Sequence, residues 1–233
     1  PKRDWSSDVC SSDLEVTIMK YRFCVTVTVL LVFGFGIFGR GKLDTYTNIT
    51  VDPNFINDFS VAEIPTSFAI QDCEILKKIL PESPIILKVT PVDPPEFFFK
   101  GWQQKVRIEQ VFSGENLASG SEIYITFDRW KASVARKEMN LSFVNFMKYG
   151  AEYLVFLSES IGYTKDGIEV FQLPKDHAIA SVFSYEVHDN VIYPVSGEST
   201  YVPYKEVSDN EFFAVDTEGL DAFLELKNFL LEK

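Results

Sequence analysis

Hydrophobic and polar positions alternate along the middle of this chain with the period of β-strands. In Ile123-Tyr-Ile-Thr-Phe127 the apolar residues stand at every second position, as a half-buried strand requires. Similar signals cover Ile85–Val92, Lys105–Phe112, Glu152–Leu157, Gly167–Leu173, Ala178–Val187 and Val191–Pro194. Tyr153 to Leu157 is apolar throughout, which predicts a strand covered on both faces. The Val106/Ile108 phase breaks at Gln110-Val111 and predicts a bulge. Asp166-Gly167 supplies a hairpin turn.

Two helices flank this β-rich middle. From Ser67, Ile75, Leu76, Ile79 and Leu80 mark one face, Lys77 and Lys78 the other, and Pro81 stops the run. The second spans about Thr217 to Leu231, with Asp216 and Glu218 at its positive start and Lys227 and Lys233 toward its negative end. Strands in quick succession between terminal helices predict a mainly β protein with flanking helices, built on a small antiparallel β-barrel with a C-terminal helix.

The first 66 residues divide differently. Asp4 to Leu14 resembles the translation of a sequencing adapter, so residues 1–18 are set aside. Residues 19–41 read as a signal peptide or signal-anchor helix. Lys20 and Arg22 precede the uncharged run Phe23–Phe38, and Arg40 and Lys42 follow it. The run is just short of the about 17–25 residues that span a bilayer comfortably. No Ala-x-Ala-like site follows it, so a cleaved signal and a retained anchor both stay open. Residues 42–66, polar and aperiodic, read as a tether, and 67–233 as a single barrel-type domain. The reading places the protein outside the cytoplasm, secreted or held at the cell surface, with 23–38 as its only membrane contact.

Composition narrows the partners. The formal net charge of −12 opposes binding to phosphate backbones, so nucleic acid is excluded. Beyond the adapter-like and membrane segments Cys73 stands alone; no internal disulfide can form, and the thiol reads as a small buried hydrophobe on a helix.

Candidate chemistry is sparse. His177 and His188, beside Asp176 and Asp189, read as turn residues flanking the Ala178–Val187 strand. A metal-dependent hydrolase using Asp128, Asp176, His177, His188 and Asp189 is the alternative. There is no phosphate-binding glycine loop and no nucleophile elbow, no cofactor is implied, and the balance leans away from an enzyme. Two surface candidates remain. The cluster Phe97-Phe98-Phe99-Lys100-Gly101-Trp102 offers aromatic contact to a protein or glycan if exposed, or a strand start if buried. Arg129, Trp130, Lys131, Arg136 and Lys137 form a basic patch for an anionic partner, or a solvated connecting loop.

Three stretches carry a family resemblance: Val106-Arg-Ile-Glu-Gln-Val-Phe-Ser-Gly-Glu-Asn-Leu117, Gly120-Ser-Glu-Ile-Tyr-Ile125 and Gly150-Ala-Glu-Tyr-Leu-Val-Phe-Leu157. Together they resemble the OB-fold barrel of the TIMP-like (tissue inhibitor of metalloproteinases) and netrin-module superfamily, which small exported bacterial proteins also carry. The resemblance covers about residues 84 to 158 and implies an OB-like barrel displayed outside the cell. The inhibitors of that superfamily use an N-terminal Cys and bracing disulfides. Here no Cys becomes the mature N-terminus by an obvious cleavage and the bracing disulfides are absent, so protease inhibition is not carried over. The sequence thus predicts a non-enzymatic binding module whose ligand is a protein or a glycan.

Overall fold

A computed structural model of the protein describes residues 21–34, 55–98, 101–127, 131–133, 137–194 and 200–232, with the backbone alone over 131–133. The chain divides into two compact units, 1–49 and 50–233. In the first, residues 21–34 form the exposed helix α1. The Thr26 and Thr28 hydroxyls each donate to a carbonyl one turn back, Arg22 O and Cys24 O, at 2.9 Å, which satisfies them within the helix. Among the described residues no helix is long and apolar enough to cross a membrane. The remainder of the expected anchor segment (19, 20 and 35–41) lies outside the described residues, as do 1–18.

The second unit is mainly β. In chain order it contains β1 (Ser60–Ala62), α2 (Thr66–Ile79), β2 (Ile85–Pro91), β3 (Glu96–Phe98), β4 (Gly101–Ser113), β5 (Glu122–Phe127), β6 (Lys131–Ser133) and β7 (Glu138–Asn140). There follow β8 (Tyr153–Leu157), β9 (Ser160–Tyr163), β10 (Glu169–Gln172), β11 (Val182–Ser184), β12 (Tyr201–Pro203), α3 (Tyr204–Val207) and α4 (Thr217–Leu231). A larger sheet runs β11-β8-β2-β4-β5-β10-β9, with β3 added to β4. A smaller one runs β12-β1-β7-β6.

The larger sheet buries the positions that the alternation marks. Leu87, Val89, Val106, Ile108, Ile123, Ile125, Phe127 and Phe171 are all buried, each stabilising the fold by about 1.5–3 kcal/mol relative to exposure. All five residues of β8 are buried, as their unbroken apolar run predicts. Against β2, β4 shifts register twice, once on each side of Gln110-Val111, where the phase of the sequence breaks. The Asp166-Gly167 turn joins β9 to β10, with Gly167 at φ +78° and its N–H donated to Thr164 O at 3.0 Å.

Two expectations for this sheet need correction. It is not purely antiparallel, because β5 and β10 pair in parallel after the intervening chain crosses between them. Nor do its ladders, among the described residues, close into a barrel; they form an open path with β11 and β9 at its ends. The reason lies in β8, whose two edges are both taken, by β2 on one side and β11 on the other. Only the kink after it reaches β10. There Ser158 N–H donates to Gln172 O at 3.0 Å and Gln172 N–H to Glu159 O at 3.1 Å.

Other expectations also shift. The stretch read as a tether contributes Phe55, Ile56, Phe59, Val61, Ala62 and Ile64 to buried positions, because β1 is the inner strand of the small sheet. Ala178–Val187 narrows to β11, and residues 191–194 carry no ladder. Side-chain amides replace it. Val191 N–H donates to Asn210 Oδ1 at 2.9 Å, and Asn210 Nδ2 donates back to Val191 O at 2.8 Å.

The helices match the sequence closely. Asp216 caps α4 by accepting from Gly219 N at 2.8 Å, and its other carboxylate oxygen accepts from the Thr66 hydroxyl at the start of α2. These two bonds hold its carboxyl below the usual range. The stacked rings of Phe212 and Phe223, 4.7 Å apart, seat α4 on the segment before it. Cys73 is buried on α2, and burial pushes its thiol up to about 12, so it is an inert hydrophobe.

Candidate functional site

The β3–β4 hairpin separates the aromatic cluster that the sequence presents as one. Side chains alternate across β3, so Phe97 turns to one side of the sheet and Phe98 to the other. Each then joins a different concave surface.

Phe97 lines an inner cleft of about 580 Å³ with Phe55, Pro95, Phe146, Met147 and Tyr204. Its ring meets Phe55 at 5.0 Å and Phe146 at 5.2 Å, both edge to face. Trp102 lies beneath, 5.5 Å from Phe146, and is buried. The central polar side chains of this cleft, Asn145 and Tyr204, are committed within the protein. Asn145 Nδ2 donates to Ser208 O at 2.9 Å and Asn210 O at 2.7 Å. Asn145 Oδ1 accepts from Phe146 N–H at 2.9 Å and from the Tyr204 hydroxyl at 3.0 Å. Burial pushes the Tyr204 phenol up to about 12, so it stays a donor at neutral pH. Lys148 at the rim is paired with Asp209 at 3.0 Å.

The same network runs on into the interior. Asn145 N–H donates to Glu211 O, and the Glu211 carboxylate pairs with Lys227 of α4 at 2.5 Å, both side chains buried. Lys227 Nζ also donates to Glu186 O at 2.7 Å, and Glu211 Oε1 accepts from Ser184 N–H of β11 at 2.7 Å. Burial raises the Glu211 carboxyl against the opposing pull of Lys227.

Phe98 opens onto a second surface, an outer groove of about 570 Å³ whose lining includes Gln103, Thr126, Ile161, Tyr163 and Gln172. Strand register builds its floor. Glu96 stands opposite Gln103, Gln103 opposite Thr126, and Thr126 opposite Gln172, giving one polar row across β3, β4, β5 and β10. Gln103, Thr126 and Gln172 each stand between two buried neighbours, Trp102 and Gln104, Ile125 and Phe127, and Phe171 and Leu173, so the row is set by pleat alternation. Exposed apolar side chains rim it: Phe98 at 41%, Ile161 at 53% and Tyr163 at 70%. Gly101 lets the hairpin close beneath Phe98. A Cβ there would lie 2.5 Å from Phe127 O and 2.7 Å from the Phe98 ring.

The members of the row are committed to different degrees. Gln103 Nε2 donates to Glu96 Oε2 at 2.8 Å. The Thr126 hydroxyl donates to Trp102 O at 3.1 Å, leaving its oxygen to accept. Gln172 is buried, at 8% exposed, yet its carboxamide has no hydrogen-bond partner among the described residues. It is not sealed in. Sealed and unpartnered atoms occur elsewhere, at Gln104 Oε1 and Glu63 Oε2. The Gln172 carboxamide faces the groove instead.

The remaining sequence candidates do not gather here. Arg129, Trp130 and Arg136 lie outside the described residues, and Lys131 is placed only as the first residue of β6. Lys137 sits in a turn at φ +53°, more than half exposed, 3.8 Å from Asp58 Oδ2. His188 Nδ1 lies 3.3 Å from Asp209 O, and Asp128 falls outside the described residues. Among the described residues no group of three His, Cys, Asp or Glu side chains could hold a metal ion. Gln103, Thr126, Tyr163 and Gln172 went unnoticed in the sequence. Their signal is the outward phase of each strand, and register alone aligns them.

No protein-family model matches the chain, and no curated protein matches it at a significant level.

Proposed function

We propose that the chain is a non-enzymatic binding module that holds a protein or glycan in its outer groove. One observation carries the reading. A buried carboxamide with no hydrogen-bond partner among the described residues lines a groove rimmed by exposed aromatic and aliphatic side chains, on a floor fixed by four hydrogen-bonded strands. Concave sites that combine apolar walls with a few placed polar groups are the usual form of ligand sites.

The finer fold reading is an OB-like sheet, partly open, similar to the TIMP-like and netrin-module superfamily. It is supported by the β2–β4–β5 meander, the parallel return of β10 to β5, and the way β8 and its continuation β9 flank the two sides. Export, with anchoring or secretion through 23–38, belongs to the same proposal and rests on the apolar run and its basic flanks.

Affinity capture tests the function. The full chain is displayed against envelope and host-surface extracts beside a Phe98→Ala/Tyr163→Ala double variant. Capture that depends on both rings supports the reading. Capture that the double variant retains contradicts it. Cell fractionation tests export separately, and a product confined to the cytosol ends that part.

A further inference from the structure

Resting on the binding-module reading, we infer that the outer groove takes a neutral oligosaccharide. The groups on the floor define the chemistry. Gln172 offers two N–H donors and a carbonyl acceptor, Gln103 a free carbonyl, and Thr126 a hydroxyl oxygen whose proton is already used. Two acceptors, at Gln103 and Thr126, are therefore followed along one line by the donors and acceptor of Gln172. A ligand that satisfies them presents hydroxyls, each able to donate and accept, at several successive positions. A buried carboxamide gains most from such a partner, because ligands lacking the matching group leave it unpaired.

The rim selects in the same direction. Phe98 and Tyr163 present large rings to solvent, and flat apolar faces of this kind suit the C–H face of a sugar ring while the edges remain wet. Charge selects among saccharides. Among the described residues Lys175 is the one charged residue in the groove's lining, Glu96 stands at the end of the row beyond Gln103, and the protein carries −12 overall, so heavily sulfated chains are disfavoured. Length follows from the sheet. From Gln103 to Gln172 the row crosses two strand spacings, about 10 Å, which suits an oligosaccharide lying across the strands better than a single sugar.

The test uses the full chain, immobilised and titrated with neutral hexose and N-acetylhexosamine oligomers, and with a sulfated oligomer as control. Saturable binding of a neutral oligomer, with none of the sulfated one, is expected. Tyr163→Ala and Gln172→Leu should each weaken it about tenfold or more, the cost of one well-made contact. Circular-dichroism melts report whether each variant folds. Should Gln172→Leu fail to fold, Tyr163→Ala, at an exposed position, decides alone. Binding that survives Tyr163→Ala overturns the assignment, as does the absence of binding to any neutral oligomer. If no saccharide binds but the chain captures a protein through a surface that Tyr163→Ala destroys, the saccharide assignment falls and the binding module stands. If neither ligand class binds through this groove, both fall.

Discussion

The inner cleft and the outer groove lie on opposite sides of one hairpin and are nearly equal in volume, about 580 and 570 Å³. They differ in what their polar atoms do. In the inner cleft, Asn145 makes four side-chain hydrogen bonds, and the network continues through Glu211 to Lys227 of α4. In the outer groove the buried carboxamide of Gln172 makes none among the described residues. Size and aromatic lining therefore do not identify a binding site here. A cleft whose buried polar side chains, here Asn145 and Tyr204, are spent inside the protein is part of its architecture. One whose buried polar group is unspent and accessible has capacity for a ligand.

The comparison can be broken most forcefully at Lys227. Replacing it with Met leaves Glu211 buried without its cation and should cost about 3–5 kcal/mol in chemical unfolding. A loss below about 1 kcal/mol would mean that the network is not structural. Next in size is Asn145→Ala, which strands the Tyr204 hydroxyl and two carbonyls and should cost about 3 kcal/mol. Ligand capture by the folded fraction should be unchanged. If capture disappears while the fold survives, the inner cleft is the site.

A pH-dependent prediction separates sealed polar atoms from accessible ones. Glu63, buried beside β1 with one carboxylate oxygen unpartnered, has its carboxyl pushed up to about 7 by burial. The folded state therefore favours the protonated acid. Its stabilising contribution is present below the ordinary value of 4.5 and is lost as pH rises through about 7. Glu63→Gln should melt several degrees higher than the parent at pH 8 and close to it at pH 4. Equal melting temperatures at pH 8 would contradict the burial assigned to it. The smallest stability effect belongs to the outer rim. Tyr163→Ala should change stability by less than about 0.5 kcal/mol while weakening ligand capture, the reverse of Asn145→Ala.

How much of this was legible in the sequence depends on the length of each signal. β2, β4, β5, β8 and both long helices carry enough periodic positions to be read directly, and Thr217–Leu231 matches its predicted span. Strands of three residues, such as β1, β3, β7 and β12, offer too few positions for a period of two, so the small sheet went unseen. The closed barrel was over-read, because sequence does not reveal that β11 occupies the free edge of β8. For the site, the Phe97–Trp102 cluster drew notice for its composition, but alternation sends its members to different faces. The polar row was invisible because its residues are 23 and 46 positions apart and meet only through register. One of those ladders is the parallel β5–β10 pairing, which short turns do not announce.

The account is tested most directly by a chemical-shift titration of the 15N-labelled full chain with the neutral oligosaccharide that binds best. The side-chain amide signals of Gln172 and Gln103, and the backbone signals of Thr126 and Tyr163, are expected to move together and saturate at one affinity, while the Asn145 amide stays still. Shifts centred on Asn145, Phe146 and Tyr204, with Gln172 unmoved, would show that the ligand enters the inner cleft and that the outer groove is not the site.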